Sequence, residues 1–308
     1  MVDAVSEAVR DARSIPAREL ARGFSWPECP RWYDGTFYFS DMYNHTILSV
    51  GEDGSTSVFI DARDRDAATD VEVVLGGFGW LPDGRVLVTS MHEKLILVWD
   101  GATLETWADV SHLAPGPIND MVLDADGRAY VTQLGFDLFN GEEAAASDLL
   151  VVEPDGSVRA LSELGAFMGA NGIAITADGT RLITAETFVN RIEVLDRAAD
   201  GTLSNRRTFA AAPFYPDGIC LDDDGGVWAG MPGSGYVARI VEGGTITDVV
   251  PIPLENGVGS ACGLGGPDRR TLYVTVGVEV MDFAKSRAEG LASIGVADVA
   301  ASGGKNRP

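Results

Sequence analysis

The sequence of 308 residues predicts an all-β fold, a six-bladed β-propeller of four-stranded antiparallel blades. Two observations support this prediction: short apolar runs joined by Asp-Gly turns recur along the chain, and helical patterns are nearly absent. The turns begin at Asp34, Asp83, Asp126, Asp178, Asp224 and Asp268. Successive turns are 43 to 52 residues apart, which is typical of propeller blades.

A second turn follows within most repeats, so each repeat holds two hairpins and therefore four strands. These turns are Asp53-Gly54, Asp100-Gly101, Asp155-Gly156, Asp200-Gly201 and Gly243-Gly244. The alternative of two β-sandwiches explains the turns but not their regular spacing over the whole chain.

We expect the ring to close through an N-terminal strand near residues 19–24, which pairs with the last blade at "LASIGVADV". The predicted organisation is an N-terminal extension over residues 1–18, a propeller over 19–300 and a flexible tail over 301–308. Helix is expected only at residues 3–13 and 283–291.

The chain carries 46 acidic and 23 basic residues, a formal net charge of −23. Such a surface repels nucleic acid and anionic membranes, so neither is an expected partner. Three cysteines without a C-x-x-C pair indicate free thiols in a reducing compartment. No signal peptide and no apolar run of about 20 residues is evident, and we expect a cytoplasmic protein. The oligomeric state stays open.

Four oxygen-bearing residues stand at equivalent places in different blades. Asn119, Asn171 and Asp217 each lie seven residues before the Asp of their turn, and Glu28 lies six before Asp34. This is where the innermost strand of each blade begins. The pseudo-symmetry of a propeller therefore predicts that the four side chains converge at one mouth of the channel.

Two carboxylates that converge in a partly buried site repel each other, and a divalent cation removes this repulsion. The all-oxygen set favours Ca²⁺, with Mg²⁺, Mn²⁺ and Zn²⁺ also open. The alternative is that Asn171-Gly172 and Asp217-Gly218 are ordinary turn dipeptides. That alternative does not account for Glu28 or for the common offset.

The segments "PECPRW", "IND", "ANGIAITADGTRLITAET", "PDGICLDDDGGVWAG" and "ACGLGGPDRRTLYVTVG" are similar to the senescence-marker-protein/gluconolactonase/luciferin-regenerating-enzyme family. The resemblance covers residues 24–299. It implies a six-bladed propeller with one catalytic divalent metal at the channel mouth, usually a lactone hydrolase. It also implies that Glu28, Asn171 and Asp217 bind the metal, and that Asn119 lies at or beside it and meets the substrate.

Two departures from the family pattern bear on the substrate. Cys29 replaces the usual Gly after the metal-binding Glu, and we expect its thiol to pack rather than to narrow the pocket. Pro117 stands where sugar-lactone members often carry an Arg, which is suited to polar oxygens. Apolar residues flank the strand entries, and we expect Asn119, Met168, Tyr215 and Phe136 to contact the substrate.

The predicted function is metal-dependent opening of a lactone less polar than a sugar lactone, by metal-activated water with Asp217 as general base. The alternatives are another metal-dependent hydrolase on the same site, acting on organophosphates or other esters, and a non-catalytic binding propeller. His45 and His92 lie on loops at the same end, where a solvated surface position is the expectation.

Overall fold

The computed structural model describes residues 7–307, and their strands form six sheets of four or five strands. The innermost strands of neighbouring sheets contact one another in a closed ring. The predicted six-bladed propeller is therefore confirmed.

Two strands precede the first blade, β1 (Arg13–Ser14) and β2 (Arg18–Phe24). Blade one contains β3 (Pro27–Tyr33), β4 (Thr36–Asp41), β5 (Thr46–Val50) and β6 (Thr56–Asp61). Blade two contains β7 (Leu75–Trp80), β8 (Val86–Ser90), β9 (Leu95–Trp99) and β10 (Leu104–Asp109). Blade three contains β11 (Ile118–Leu123), β12 (Ala129–Gln133), β13 (Leu150–Val152) and β14 (Val158–Ala160).

Blade four contains β15 (Ala170–Ile175), β16 (Arg181–Glu186), β17 (Arg191–Arg197) and β18 (Leu203–Ala211). Blade five contains β19 (Ile219–Leu221), β20 (Gly226–Met231), β21 (Tyr236–Val241) and β22 (Ile246–Pro251). Blade six contains β23 (Val258–Gly265), β24 (Thr271–Gly277), β25 (Ala292–Asp298) and, as its outermost strand, β2.

The N-terminal strand closes the ring as predicted. Strand β2 pairs antiparallel with β25, with Arg18 opposite Val296 and Phe24 opposite Ala292. Strand β1, which the sequence analysis did not predict, adds in parallel to the outer edge of blade five. Arg13 lies in β1, and its Nε donates a 2.7 Å hydrogen bond to Asp248.

Helix is scarce among the described residues. Short α-helices are formed by α1 (Arg63–Asp66) and α2 (Phe283–Glu289). Short 3-10 turns occur at 42–44, 138–140, 162–164 and 187–189. Helix α2 confirms the prediction near residues 283–291. The helix predicted at 3–13 lies partly outside the described residues. Within residues 7–307, no helix has the length and apolar character that crossing a membrane requires.

The innermost strands share a bulge near their start. Five of them carry a register shift there, at residues 29–30, 76–77, 119–120, 171–172 and 260. In blade five, β19 begins just after Asp217 and Gly218. A bulge bends its strand and re-aims the local side chains. The equivalent entries predicted from the sequence are therefore built by one repeated backbone irregularity.

Blade two places glycines at its bulge because neighbouring blades leave no room. A Cβ on Gly77 would lie 2.3 Å from Oδ1 of Asp120, and one on Gly76 would lie 2.6 Å from the carbonyl oxygen of Asn119. The bulge of this blade consequently contributes space, and no side chain, to the entry end.

The C-terminal segment lies against the opposite end of the channel, where the Asp-Gly turns are. Arg307 and Ile175 exchange backbone hydrogen bonds of 2.8 and 2.9 Å, and the Asp223 N–H donates to Ser302 at 2.7 Å. These contacts do not test the predicted flexibility of residues 301–308, which stays a prediction.

Candidate active site

Three of the four predicted polar residues form a row across blades three, four and five. Asn119 Nδ2 donates a 2.8 Å hydrogen bond to Asn171 Oδ1. The Asn171 side chain also lies close to the Asp217 carboxyl group and opposes the rise in its pKa. The Gly172 N–H, one residue beyond Asn171, donates to the Asp217 carbonyl oxygen at 3.1 Å. The bulges thus bring together side chains that lie about 50 residues apart in sequence.

Glu28 is the fourth predicted residue, and it is buried, with 8% exposure. Its Oε2 accepts the Cys29 N–H at 2.9 Å. Burial raises the pKa of Glu28 to about 7, hydrogen bonds from Cys29 and Ser260 oppose this shift, and the charge of Asp120 adds to it. The Glu28 carboxyl group therefore lies among groups that penalise its charge.

Asp217 is half-buried, and its pKa is raised well above the ordinary value, first by burial and then by the charge of Glu28. No Arg, Lys or His among residues 7–307 forms an ion pair with Asp217 or Glu28. The two acidic side chains thus interact with each other, and the charge of Arg31 opposes the rise in the pKa of Glu28 without forming an ion pair with it.

Asp120 and Arg31 belong to the same region, and the sequence analysis missed both. Arg31 Nη2 binds Asp120 Oδ1 at 2.5 Å, and both side chains are buried. Arg31 also donates to the carbonyl oxygens of Phe78 at 2.8 Å and Met121 at 2.9 Å. The one basic residue of the buried innermost strand "PECPRWY" was the available signal.

Cys29 follows Glu28 with a backbone φ of 50°, the left-handed region that favours glycine. This conformation explains why a Gly is usual at the position. The thiol is buried against the core of blades one and two, and burial raises its pKa well above the ordinary value. Packing of a neutral thiol, as expected, agrees with these observations.

The three predicted apolar contacts occupy different environments. Phe136 is buried with its ring 5.2 Å from that of Phe188. Met168 is half-buried, and its N–H donates to Glu186 at 2.8 Å. Tyr215 is 39% exposed, with its ring 4.9 Å from that of Phe214. Contact of Asn119, Met168, Tyr215 and Phe136 with a substrate stays a prediction.

The connection between β24 and β25 reaches over the first blades at this end, and we call residues 278–291 the cover segment. Its Phe283 ring stacks on Tyr43 at 4.0 Å and lies 5.9 Å from His92 and 5.1 Å from Phe139. Ser286 donates to the Ser25 carbonyl oxygen at 2.9 Å, just before β3. An aromatic wall from blades one to three therefore stands beside the Glu28 strand.

The two histidines at this end are less exposed to solvent than expected. His45 is 8% exposed, and its Nδ1 lies 2.6 Å from the Val73 carbonyl oxygen. The expectation of a solvated surface side chain is wrong for His45, because its loop places the ring in the protein interior, beside the Val73 carbonyl oxygen. His92 is half-buried against Phe283, and burial lowers its pKa.

A metal site made only of His, Cys, Asp or Glu does not occur: over the described range, no three of these residues are grouped to hold an ion. The predicted set holds only two acids, and its other members are amides. Metal binding by Glu28, Asn119, Asn171 and Asp217 stays a prediction.

Comparison with protein families gives one match that spans most of the propeller. The family described as SMP-30/Gluconolactonase/LRE-like region matches residues 26–278. The chain belongs to this family. The resemblance inferred from the sequence motifs is therefore confirmed, and the match covers Glu28, Asn119, Asn171 and Asp217.

Individual members of the SMP-30/gluconolactonase family are distant relatives of the chain. Regucalcin from Xenopus laevis is 26% identical over 264 residues, 83% of this chain and 84% of that protein. Gluconolactonase from Zymomonas mobilis is 25% identical over 256 residues, 75% and 71% of the two chains. The solved structure of a calcium-binding protein, regucalcin, from Agrobacterium tumefaciens superposes with a TM-score of 0.73 at 20% identity, covering 94% and 96%. The last comparison supports the fold.

Proposed function

We propose that the chain is a metal-dependent hydrolase that opens a lactone. One observation supports this most directly: two acids and two amides from four blades meet at one end of the channel, without a basic partner for either acid. The gluconolactonase of Zymomonas mobilis, a family member, supports the same class of reaction. The net charge of −23 favours a small-molecule partner over nucleic acid.

The donor set fits a hard divalent cation. It offers only oxygen ligands, and its two carboxylates carry the charge that a divalent ion neutralises. Arg31 is the nearest described base to act on Glu28, and its guanidinium is already paired with Asp120. Ca²⁺ is the proposed ion, and Mg²⁺, Mn²⁺ or Zn²⁺ would find the same oxygens.

Each residue then has a distinct task. Glu28, Asn171 and Asp217 would hold the ion, and Asn119 orients the substrate or completes the set of ligands. A divalent cation bound there would polarise the lactone carbonyl and acidify water. The Asp217 carboxylate accepts the proton from the attacking water, as the general base. Burial of Glu28 restricts bulk water on the blade-one side of the site.

The surroundings favour a substrate less polar than a sugar lactone. Pro117 supplies no hydrogen-bond donor. Phe188, packed on the buried Phe136, and the aromatic wall at Phe283 present apolar surface near the entry end. A lactone with an alkyl or aryl substituent would bury that substituent on these rings.

The test compares wild type with Glu28→Gln and Asp217→Asn on lactones of varied ring size and chain length, after chelation and after Ca²⁺ is restored. We expect chelation to abolish turnover, Ca²⁺ to restore it in wild type only, and each variant to lose at least about 10²-fold in kcat/KM. Asp126→Asn, an exposed turn residue at the far end, is the matched control. Turnover that survives complete removal of metal would contradict the proposal.

The same panel separates the rival functions. Faster hydrolysis of aryl phosphotriesters than of every lactone would indicate an organophosphate hydrolase on this site. No hydrolysis of any ester, with Glu28→Gln folding and binding its partner normally, would indicate a non-catalytic binding propeller.

A further inference from the structure

A cavity lies at the turn end of the channel, opposite the candidate active site. We call it the turn-end cavity; its volume is about 300 Å³, and residues 304–307 of the C-terminal segment form part of its wall. The buried Arg31–Asp120 pair stands between it and the polar cluster of the active site. The turn-end cavity therefore lies on the other side of this ion pair from the polar cluster.

The turn-end cavity is lined by basic side chains in a strongly acidic protein. Arg269, Lys305 and Arg307 line it, and none of them forms an ion pair with an acid in the described part of the chain. Asp223 is close enough to attract Arg269 but does not pair with it within 4.0 Å. Three cations without an ion pair thus line this cavity beside the paired Arg31, although acids outnumber bases two to one in the sequence.

Arg269 is the most informative of these residues. Its Nε is buried and has no hydrogen-bond partner among residues 7–307, and burial lowers the pKa of its guanidinium. A buried donor without an acceptor costs free energy that a bound anion would recover. The structure contains, at this point, a donor that no described protein group satisfies.

The backbone of Arg269 adds an independent observation. It has a φ of 59°, in the left-handed region, at the position where the other five blades carry Gly in their first turn. A non-glycine residue in that conformation is strained. The sixth blade therefore keeps an arginine at a conformational cost, and the side chain it places lines the cavity.

Aromatic rings form the other wall. Tyr33 and Trp80 stack with their centroids 4.0 Å apart, and Trp32 stacks on Tyr273 at 5.9 Å. Tyr33, Trp32 and Trp80 all line the cavity. Rings beside guanidinium groups are a common arrangement for binding a flat molecule that carries a negative group.

We propose that the turn-end cavity binds a small aromatic carboxylate of one or two rings. Arg269 and Arg307 pair with the carboxylate, and the ring lies against Trp32 and Trp80. A volume of about 300 Å³ is at the lower end of the range for small-molecule pockets, which limits the ligand to this size. The inference does not depend on the proposed lactone hydrolysis.

The test is isothermal titration of the full chain with 2-naphthoate, with 2-naphthamide as the neutral probe of the same shape. We expect saturable binding of the carboxylate, and at least about tenfold weaker binding of the amide, because a charge-assisted hydrogen bond is lost. Arg269→Gln and Arg307→Gln should each weaken naphthoate binding by about the same factor. Arg270→Gln, the exposed neighbour, should bind as wild type does.

Thermal unfolding of each variant shows whether the fold is kept. Arg307→Gln, which removes an exposed side chain with one hydrogen bond to the Leu123 carbonyl oxygen, keeps the test valid if Arg269→Gln is unstable. Absence of saturable binding to wild type would overturn the proposal. Equal binding of the amide and the carboxylate, wild-type affinity for naphthoate in both Arg variants, or displacement of naphthoate by a lactone substrate would each overturn it as well.

Discussion

Asn119 Nδ2 donates a 2.8 Å hydrogen bond to Asn171 Oδ1, which joins blades three and four at the channel mouth. An amide oxygen has two lone pairs, so Asn171 Oδ1 accepts this bond and retains one for a cation. The bond also fixes which end of the Asn171 amide faces the site. Asn119 therefore orients a proposed metal ligand, whether or not it binds the metal itself.

The first prediction follows from this orientation. Asn171→Ala should weaken Ca²⁺ binding by about 100-fold and Asn119→Ala by about tenfold, because loss of an orienting partner costs less than loss of the ligand. Calorimetric titration with Ca²⁺ measures both. Asn205→Ala, exposed on β18, is the control. Ca²⁺ affinity equal to wild type in Asn171→Ala would remove Asn171 from the site.

The second prediction concerns the buried Arg31–Asp120 pair. Arg31→Met should lower the free energy of unfolding by about 3–5 kcal/mol, because Asp120 then keeps an uncompensated charge near Glu28 and Asp217. Urea unfolding measures the change. The double variant Arg31→Met/Asp120→Asn should recover much of the loss.

Arg63→Gln serves as the control for this pair, since Arg63 binds Asp61 at the exposed surface and should stay close to wild-type stability. If the double variant were as unstable as Arg31→Met, the loss would come from the hydrogen bonds of Arg31 to the backbone rather than from the charge.

The third prediction tests the aromatic wall. Phe283→Ala should lower kcat/KM about tenfold for lactones with alkyl or aryl substituents, mainly through KM, because apolar contact of this size is worth about 1–3 kcal/mol. Unsubstituted lactones should change less. Steady-state kinetics over the lactone series measures the difference, and Leu291→Ala, 53% exposed on the same cover segment, is the control. Equal loss on all lactones would place Phe283 away from the substituent.

The fourth prediction concerns pH and His92. Burial lowers the pKa of His92 in the folded chain, and the charges of Glu72 and Asp137 oppose this shift. The unfolded chain binds this proton more tightly than the folded chain does. The contribution of neutral His92 to the free energy of unfolding is therefore complete above about pH 6.5, and it is lost as the pH falls through the pKa of the folded chain.

His92→Phe should therefore flatten the fall in free energy of unfolding between about pH 7 and pH 5, while keeping a ring against Phe283. Urea unfolding at several pH values measures the slope, with the exposed His112→Gln as control. Identical slopes in wild type and His92→Phe would show that His92 does not contribute to the pH dependence.

The sequence predicted those features that depend on local repetition. The Asp-Gly turns are local signals, so their spacing was sufficient for blade number and for the strand that closes the ring. The seven-residue offset placed Asn119, Asn171 and Asp217 at equivalent strand entries because a bulge recurs in the innermost strands. Glu28, at an offset of six, was recognised only as a near match.

The repeat pattern in the sequence did not predict contacts between residues that are far apart in the chain. Arg31 meets Asp120 across 89 positions, and Phe283 stacks on Tyr43 from the other end of the chain. Neither contact produces a repeating sequence pattern, because each joins two residues that are far apart in the chain. The residues that flank Arg31 or Phe283 in sequence do not indicate the distant partner. The same holds for the C-terminal segment that meets Ile175.

Blade six combines strand β2, near the start of the chain, with β23 to β25 near its end. During translation, a nascent polypeptide cannot assemble this blade before Asp298 has left the ribosome. Until then blades one and five lack the neighbour that covers their facing surfaces. Residues 18–24 cannot pair with β25 through almost the whole of synthesis, so this strand edge is open to mispairing and aggregation during that time.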